Sequence, residues 1–361
     1  MNKELSRFAA RLRELMANRQ WPIGHRQFSE LALELFSLQF KHNAAYRVIC
    51  EARKLTPSMI EHWTQIPAVP TAAFKELEMT SLAPAERTTV FNSSGTTEQK
   101  PSRHFHNAES LAVYETSLWP WFQLHFGDGG ELLLLTPSPK SAPHSSLVHM
   151  FETVRQKFAL PESTFTGHIA TDGSWALDFA ATIRRLKSAC DSAEPLTLLG
   201  TAFSFVHLLD YLAENHLQFH LPKESRVLET GGYKNRSRTM PKTELHALIT
   251  ERLGVPRKNI LCEYGMSELS SQAYDQEVTS QKSEVRSFHF PPWARVQIIS
   301  PETGREVAEG ETGLIRVFDL ANIFSVAAIQ TEDLGIRRGD GFELIGRAQL
   351  AEPRGCSLMN A

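Results

Sequence analysis

The chain has 361 residues, 42% of them hydrophobic, enough to fill the core of one large or two ordinary domains. Its 38 Lys plus Arg against 41 Asp plus Glu leave a formal charge of -3, without the basic excess on which phosphodiester binding draws, so nucleic acid is not an expected partner. No segment supplies the roughly 18 consecutive apolar residues of a membrane span.

Residues 1–19 mix Lys3, Arg7, Arg11 and Arg13 with Glu4 and Glu14, and their apolar positions fall at Leu5, Phe8, Leu12 and Leu15. That is the pattern of an amphipathic helix and not of a signal peptide, which needs an uncharged apolar centre. The four cysteines, Cys50, Cys190, Cys262 and Cys356, are scattered without a C-x-x-C pair and read as reduced thiols of a soluble, cytoplasmic protein.

Helical periodicity continues through Phe28, Leu31, Leu35 and Leu38 and again over 46–52, until Pro67 and Pro70 end the region. A short strand is expected at 88–91. A helix follows over 108–125, kinked or interrupted at Pro120, whose aromatic residues Tyr114, Trp119, Trp121 and Phe122 read as core. Strands are then expected at 131–136, 195–200, 226–229 and 259–262, several of them running into Gly, Ser or Thr before the next helix. This alternation describes an α/β sheet, whose ligands gather at the strand ends. From Ser287 onward short strands at 295–299, 313–318 and 341–345 take over. The expected division is residues 1–286, a helical N-terminal region with an α/β core, and residues 287–361, a β-rich subdomain with the C-terminal tail.

Four segments carry chemistry. Ser93, Ser94, Thr96 and Thr97 surround Gly95, with Lys100 just beyond. The hydroxyls offer donors, the glycine lets backbone N–H groups turn onto one anion, and the lysine adds a mobile charge; a triphosphate is the natural guest. Thr230-Gly231-Gly232 follows a strand and allows a flat base to lie against the backbone. In Tyr264-Gly265-Met266-Ser267-Glu268 the ring can cover a base, the hydroxyl can reach a phosphate and the carboxylate can hold Mg²⁺. Asp333 can accept from both ribose hydroxyls, and Arg347 can support ribose or phosphate. Taken singly, each also has an ordinary reading: a solvated Ser/Thr turn for 93–97, a strand-to-loop turn for 230–232, a buried Tyr beside a solvated Glu for 264–268 and an acidic turn for 331–335.

In this order the segments resemble the adenylate-forming superfamily, which includes acyl-CoA synthetases and phenylacetate-CoA ligases. Residues 93–101 look like its phosphate loop, 264–268 its Tyr-Gly-x-Thr-Glu motif and Asp333 its ribose-binding aspartate. Within it, Pro70 with Phe74-Lys75, Ser102-Arg103-His104, Thr230-Gly231-Gly232 and Arg354-Gly355-Cys356-Ser357 are most similar to the LuxE-like acyl-protein synthetases of bacterial fatty-acid reductase systems. Glu98 stands where the phosphate loop usually has a second glycine, and the chain stops soon after Arg347, where full-length ligases continue into a lid domain with a catalytic lysine.

The resemblance implies an adenylate-forming large domain, α/β with a small β-rich subdomain and without that lid. It implies ATP and Mg²⁺ as cofactors, with Glu268 as metal ligand. The activity it implies is conversion of a carboxylic acid to acyl-AMP and transfer of the acyl group to a thiol, which in this family is an enzyme cysteine, here Cys356, feeding a reductase partner. Lys100, Glu268 and Cys356 are then the catalytic candidates. A CoA ligase for an aliphatic or aromatic acid, or a nucleotide-binding protein that has lost catalysis, remains open at this point.

Overall fold

The computed structural model describes residues 2–18, 21–93, 100–127, 130–158, 163–231, 240–280 and 283–348. The phosphate-loop candidates Ser94, Gly95, Thr96 and Thr97, together with Glu98, Gly232 and Cys356, lie outside them.

Helix α1 (Lys3–Ala17) starts where the Asn2 side chain accepts from the backbone N–H groups of Glu4 and Leu5, and it buries Leu5, Phe8, Leu12 and Met16. It packs beside α5, where the Ser6 hydroxyl donates to Glu109 at 2.9 Å. Helices α2 (His25–His42) and α3 (Ala44–Ala52) complete the N-terminal helical region. Strand β1 (Val69–Pro70) and helix α4 (Ala73–Glu76) lead to the hairpin β2 (Thr89–Asn92) and β3 (Arg103–His106).

Helix α5 (Ala108–Phe126) runs through Pro120 without interruption. Proline deletes one backbone donor, but Val113, Tyr114, Leu118, Phe122 and Phe126 are all buried along the same helix. Their packing carries it past the missing bond.

The parallel part of the main sheet comprises β4 (Glu131–Leu134), β5 (Thr164–Phe165), β8 (Leu196–Thr201), β9 (Arg226–Thr230) and β10 (Ile260–Tyr264), in the order β5-β4-β8-β9-β10. Between β5 and β8 come the small ribbon β6 (Gly167–Ile169) and β7 (Trp175–Leu177). Helices α6 (Ser146–Phe158), α7 (Phe179–Ser192), α8 (Ala202–Glu214) and α9 (Lys242–Leu253) supply the crossovers. Leu132, Leu133 and Leu134 are fully buried, as expected of a parallel strand whose two faces are both covered.

Beyond β10 the sheet turns antiparallel through β11 (Ala273–Ser280), β12 (Ser283–His289), β16 (Gly341–Arg347), β15 (Ala328–Arg338), β14 (Thr312–Asp319) and β13 (Ala294–Ile299), with β1 pairing parallel to β15. Strand β12 spans residues 286 and 287, and the sheet is continuous there. Among the described residues no helix is long and apolar enough to cross a membrane.

Candidate active site

Strands β8, β9 and β10 end side by side at Thr201, Thr230 and Tyr264, with Thr201 paired to Thr230 and Thr230 to Glu263. Because strand side chains alternate, consecutive residues at the end of β10 serve opposite faces. Tyr264 points into a cluster with Phe342, Phe288 and Phe290, ring centroids 5.1, 6.1 and 6.3 Å away. Its hydroxyl donates to the Asp333 carboxylate at 2.9 Å. This bond joins two strands far apart in the sheet order, so the antiparallel half curls back over the end of β10. Arg347, cross-strand from Asp333, holds its guanidinium Nε 3.6 Å from the carboxylate and stays largely exposed. Burial raises the Asp333 pKa, while the Tyr264 hydroxyl and Arg347 pull it back.

Gly231 sits at φ +70°, the left-handed conformation that favours glycine. At Gly265 the constraint is space, since a Cβ there would lie 2.2 Å from a Glu263 carboxylate oxygen and would have to displace that side chain.

Past Gly265, the Ser267 hydroxyl donates to Glu268 Oε2 at 2.9 Å, and no other hydrogen bond reaches that carboxylate among the described residues. Asn322 donates to the Glu268 carbonyl at 2.9 Å, and His104 donates through Nδ1 to the Ser267 carbonyl at 2.8 Å. A carboxylate with one oxygen fixed by a hydroxyl offers the hard oxygen donor that a cation such as Mg²⁺ takes.

The neck of the phosphate-loop segment is closed by two bonds: Ser93 N–H to the Ser102 carbonyl at 3.1 Å and Ser102 N–H to the Ser93 hydroxyl at 2.9 Å. Lys100 lies on this neck, 52% exposed and 3.4 Å from the still more open Glu76. Such a surface pair holds the lysine weakly.

The model of the family "Acyl-protein synthetase, LuxE" matches residues 10–361. The chain belongs to the LuxE acyl-protein synthetase family. Two relatives called long-chain-fatty-acid–luciferin-component ligase share the match: that of Aliivibrio fischeri is 24% identical, covering 92% of this chain and 87% of its own length, and that of Vibrio harveyi is 22% identical, covering 94% and 89%. The fold is similar to that of an open 2-hydroxyisobutyryl-CoA ligase in complex with 2-HIB-AMP and CoA, with a TM-score of 0.67 at 12% identity over 90% of this chain and 69% of that one. In its thioesterification state the same ligase gives 0.64 at 13% identity, over 91% and 70%. The α/β adenylate-forming architecture expected from the motifs is therefore the one observed, and the chain is a ligase of that class.

In this LuxE-family chain a second polar cluster, invisible in the sequence, lies buried behind the strand ends. Glu229 of β9 accepts from Cys262 Sγ at 3.0 Å and lies 3.7 Å from His246 Nε2 and 3.5 Å from Lys242 Nζ. Burial opposes its ionisation, and Lys242, His246 and Cys262 together overcome that and leave its pKa below the usual value.

Cys, His and Glu are a zinc-like donor set, but the surroundings are wrong for a metal. Arg257 donates to His246 Nδ1 at 2.9 Å, which puts the imidazole proton on Nε2 and removes the lone pair a metal needs. Lys242, 3.5 Å from Glu229, already supplies the positive charge. The same tautomer denies Cys262 a base, and burial with the Glu229 charge pushes its thiol pKa up. Cys262 is thus the buried, unreactive thiol that its place in an apolar strand suggests.

On the opposite face of β10, Glu263 accepts from the Thr230 hydroxyl, and burial raises its pKa to about 7. Sequence reasoning missed Glu229, Lys242 and Glu263. The one available signal was that Glu229 and Glu263 each adjoin a motif while standing in strands that are otherwise apolar.

Proposed function

We propose that this chain activates a long-chain fatty acid with ATP and passes the acyl group to its own Cys356 for reduction by a partner enzyme. A carboxylate oxygen of the acid attacks the α-phosphorus, the bond from that phosphorus to the bridging oxygen breaks, and pyrophosphate leaves with its electron pair. The thiolate of Cys356 then attacks the acyl carbonyl, a thioester forms and AMP departs, the thiol proton going to solvent. The substrate class follows from the names of the two relatives, which cover nearly the whole chain.

Within this reading the hydroxyls of Ser93, Ser94, Thr96 and Thr97, the backbone at Gly95 and the charge of Lys100 hold the polyphosphate. Asp333 and Arg347 hold the ribose, while Tyr264, Gly231 and Gly232 enclose the base. Ser267 and Gly265 present Glu268 as the ligand of Mg²⁺, which when bound neutralises phosphate charge. Positioning and charge neutralisation are the main sources of acceleration for such a displacement.

The observation that carries the reading is the Tyr264–Asp333 hydrogen bond, which brings the two motifs 69 residues apart in sequence to one place. The experiment is ATP–pyrophosphate exchange with a panel of fatty and aromatic acids. Exchange supported by long-chain acids, and abolished in a folded Glu268→Gln variant, is the expected result. Absence of exchange with every acid would mean that the chain binds nucleotide without activating acid.

A further inference from the structure

His104 belongs to the strand that leaves the phosphate-loop segment, yet its polar contact is with the motif following β10. Its Nδ1 lies 2.8 Å from the Ser267 carbonyl oxygen, 163 residues away in sequence. That oxygen has no proton to give, so Nδ1 carries the hydrogen and donates. The ring is 3% exposed. It lies edge-on to Phe74 at 6.2 Å and against His106 at 4.2 Å, so it has little freedom to turn.

Packing alone does not call for an imidazole here, because an aliphatic side chain would fill the site without the cost of burying a polar ring. The residue that it steadies, Ser267, stands next to the candidate metal ligand Glu268. Ser267 fixes one oxygen of Glu268, and Asn322 holds the Glu268 carbonyl from the far side. Meanwhile β3 pairs with β2 through Phe91 and His104, so any shift of the hairpin is felt at this bond.

We infer that His104 is a positioning residue for adenylation: its bond to Ser267 keeps the Glu268 carboxylate in register with the hairpin that carries the phosphate loop. The inference rests on the reading of Glu268 as the Mg²⁺ ligand.

Two substitutions separate positioning from bulk. In His104→Asn the amide nitrogen falls where Nδ1 stood, whereas His104→Gln carries its donor one methylene further out. With hexadecanoate as the acid, ATP–pyrophosphate exchange is measured across a Mg²⁺ titration, alongside Mg²⁺-free binding of a fluorescent ATP analogue and a thermal melt. Loss of one hydrogen bond of ~1.5 kcal/mol corresponds to about tenfold in rate. His104→Gln should therefore lose on the order of tenfold in kcat and need more Mg²⁺ for half-saturation, with analogue binding unchanged. His104→Asn should stay within about threefold of the natural protein on both counts.

Equal losses in the two variants, or a Gln variant with the natural kcat and Mg²⁺ curve, would overturn the inference. If Glu268→Gln keeps the natural Mg²⁺ dependence, it is the metal assignment that fails, and the Asn-to-Gln contrast in kcat still decides the role of His104.

Discussion

A carboxylate that holds a ribose must be ionised and must keep an oxygen open. Asp333, proposed above for that role, keeps such an oxygen: Tyr264 donates to Oδ2, while Oδ1 lies 3.6 Å from the exposed Arg347 guanidinium. Charge-assisted hydrogen bonds contribute roughly 1.5 to 3 kcal/mol, so Asp333→Ala should weaken ATP binding by about tenfold to more than a hundredfold. Calorimetric titration of ATP measures this directly, and an unchanged affinity removes Asp333 from the ribose site. Motif order in the sequence put these residues forward as candidates. Their partners were not legible there. Nothing in Asp333 or His104 announces a bond to Tyr264 or Ser267, since such pairings depend on how the sheet curls and on which neighbours pack around a ring.

Strand β10 shows what can and cannot be read at the scale of an element. Its apolar run marks a strand, but only the alternation of faces reveals that Tyr264 and Glu263 serve different environments. Glu263 has its pKa raised from 4.5 to about 7 by burial, with the Thr230 hydroxyl acting against the shift. A carboxyl whose folded pKa lies above its unfolded value favours the native state fully below pH ~4.5 and loses that contribution as pH rises through ~7. Relative to Glu263→Gln, which stays neutral and keeps the shape, the natural protein should therefore lose up to about 3 kcal/mol between those limits. Urea midpoints of the two proteins across this range measure it, and a pH-independent difference would show that Glu263 is not buried as a carboxylic acid. Elsewhere the polar composition of residues 273–289 hid the hairpin of β11 and β12, two strands the sequence did not suggest. Pro120 does not interrupt α5, where burial of the aromatic face outweighs one lost bond.

At the scale of the whole molecule, packing bears on which thiols are available to the acyl transfer proposed above. Of the described cysteines Cys50 and Cys262 are buried and Cys190 is partly buried, and burial raises the pKa of each: Cys50 to about 11, Cys190 above its usual value, and Cys262 well above its usual value with the Glu229 charge adding to the effect. The thiolate is the nucleophile, so each is a poor acceptor at neutral pH. Cys262 is also locked as a donor to Glu229 beside a histidine that cannot act as its base. Cys356, in Arg354-Gly355-Cys356-Ser357, is the remaining cysteine, with an arginine two residues away to favour a thiolate. Incubation with ATP and labelled hexadecanoate should therefore give a hydroxylamine-sensitive adduct on the protein, retained in Cys262→Ser and Cys50→Ser and lost in Cys356→Ser, as read by intact mass. A label that survives Cys356→Ser moves the acceptor to another residue. A natural protein that exchanges pyrophosphate but never carries the label hands its acyl-AMP to a separate thiol, as a CoA ligase does.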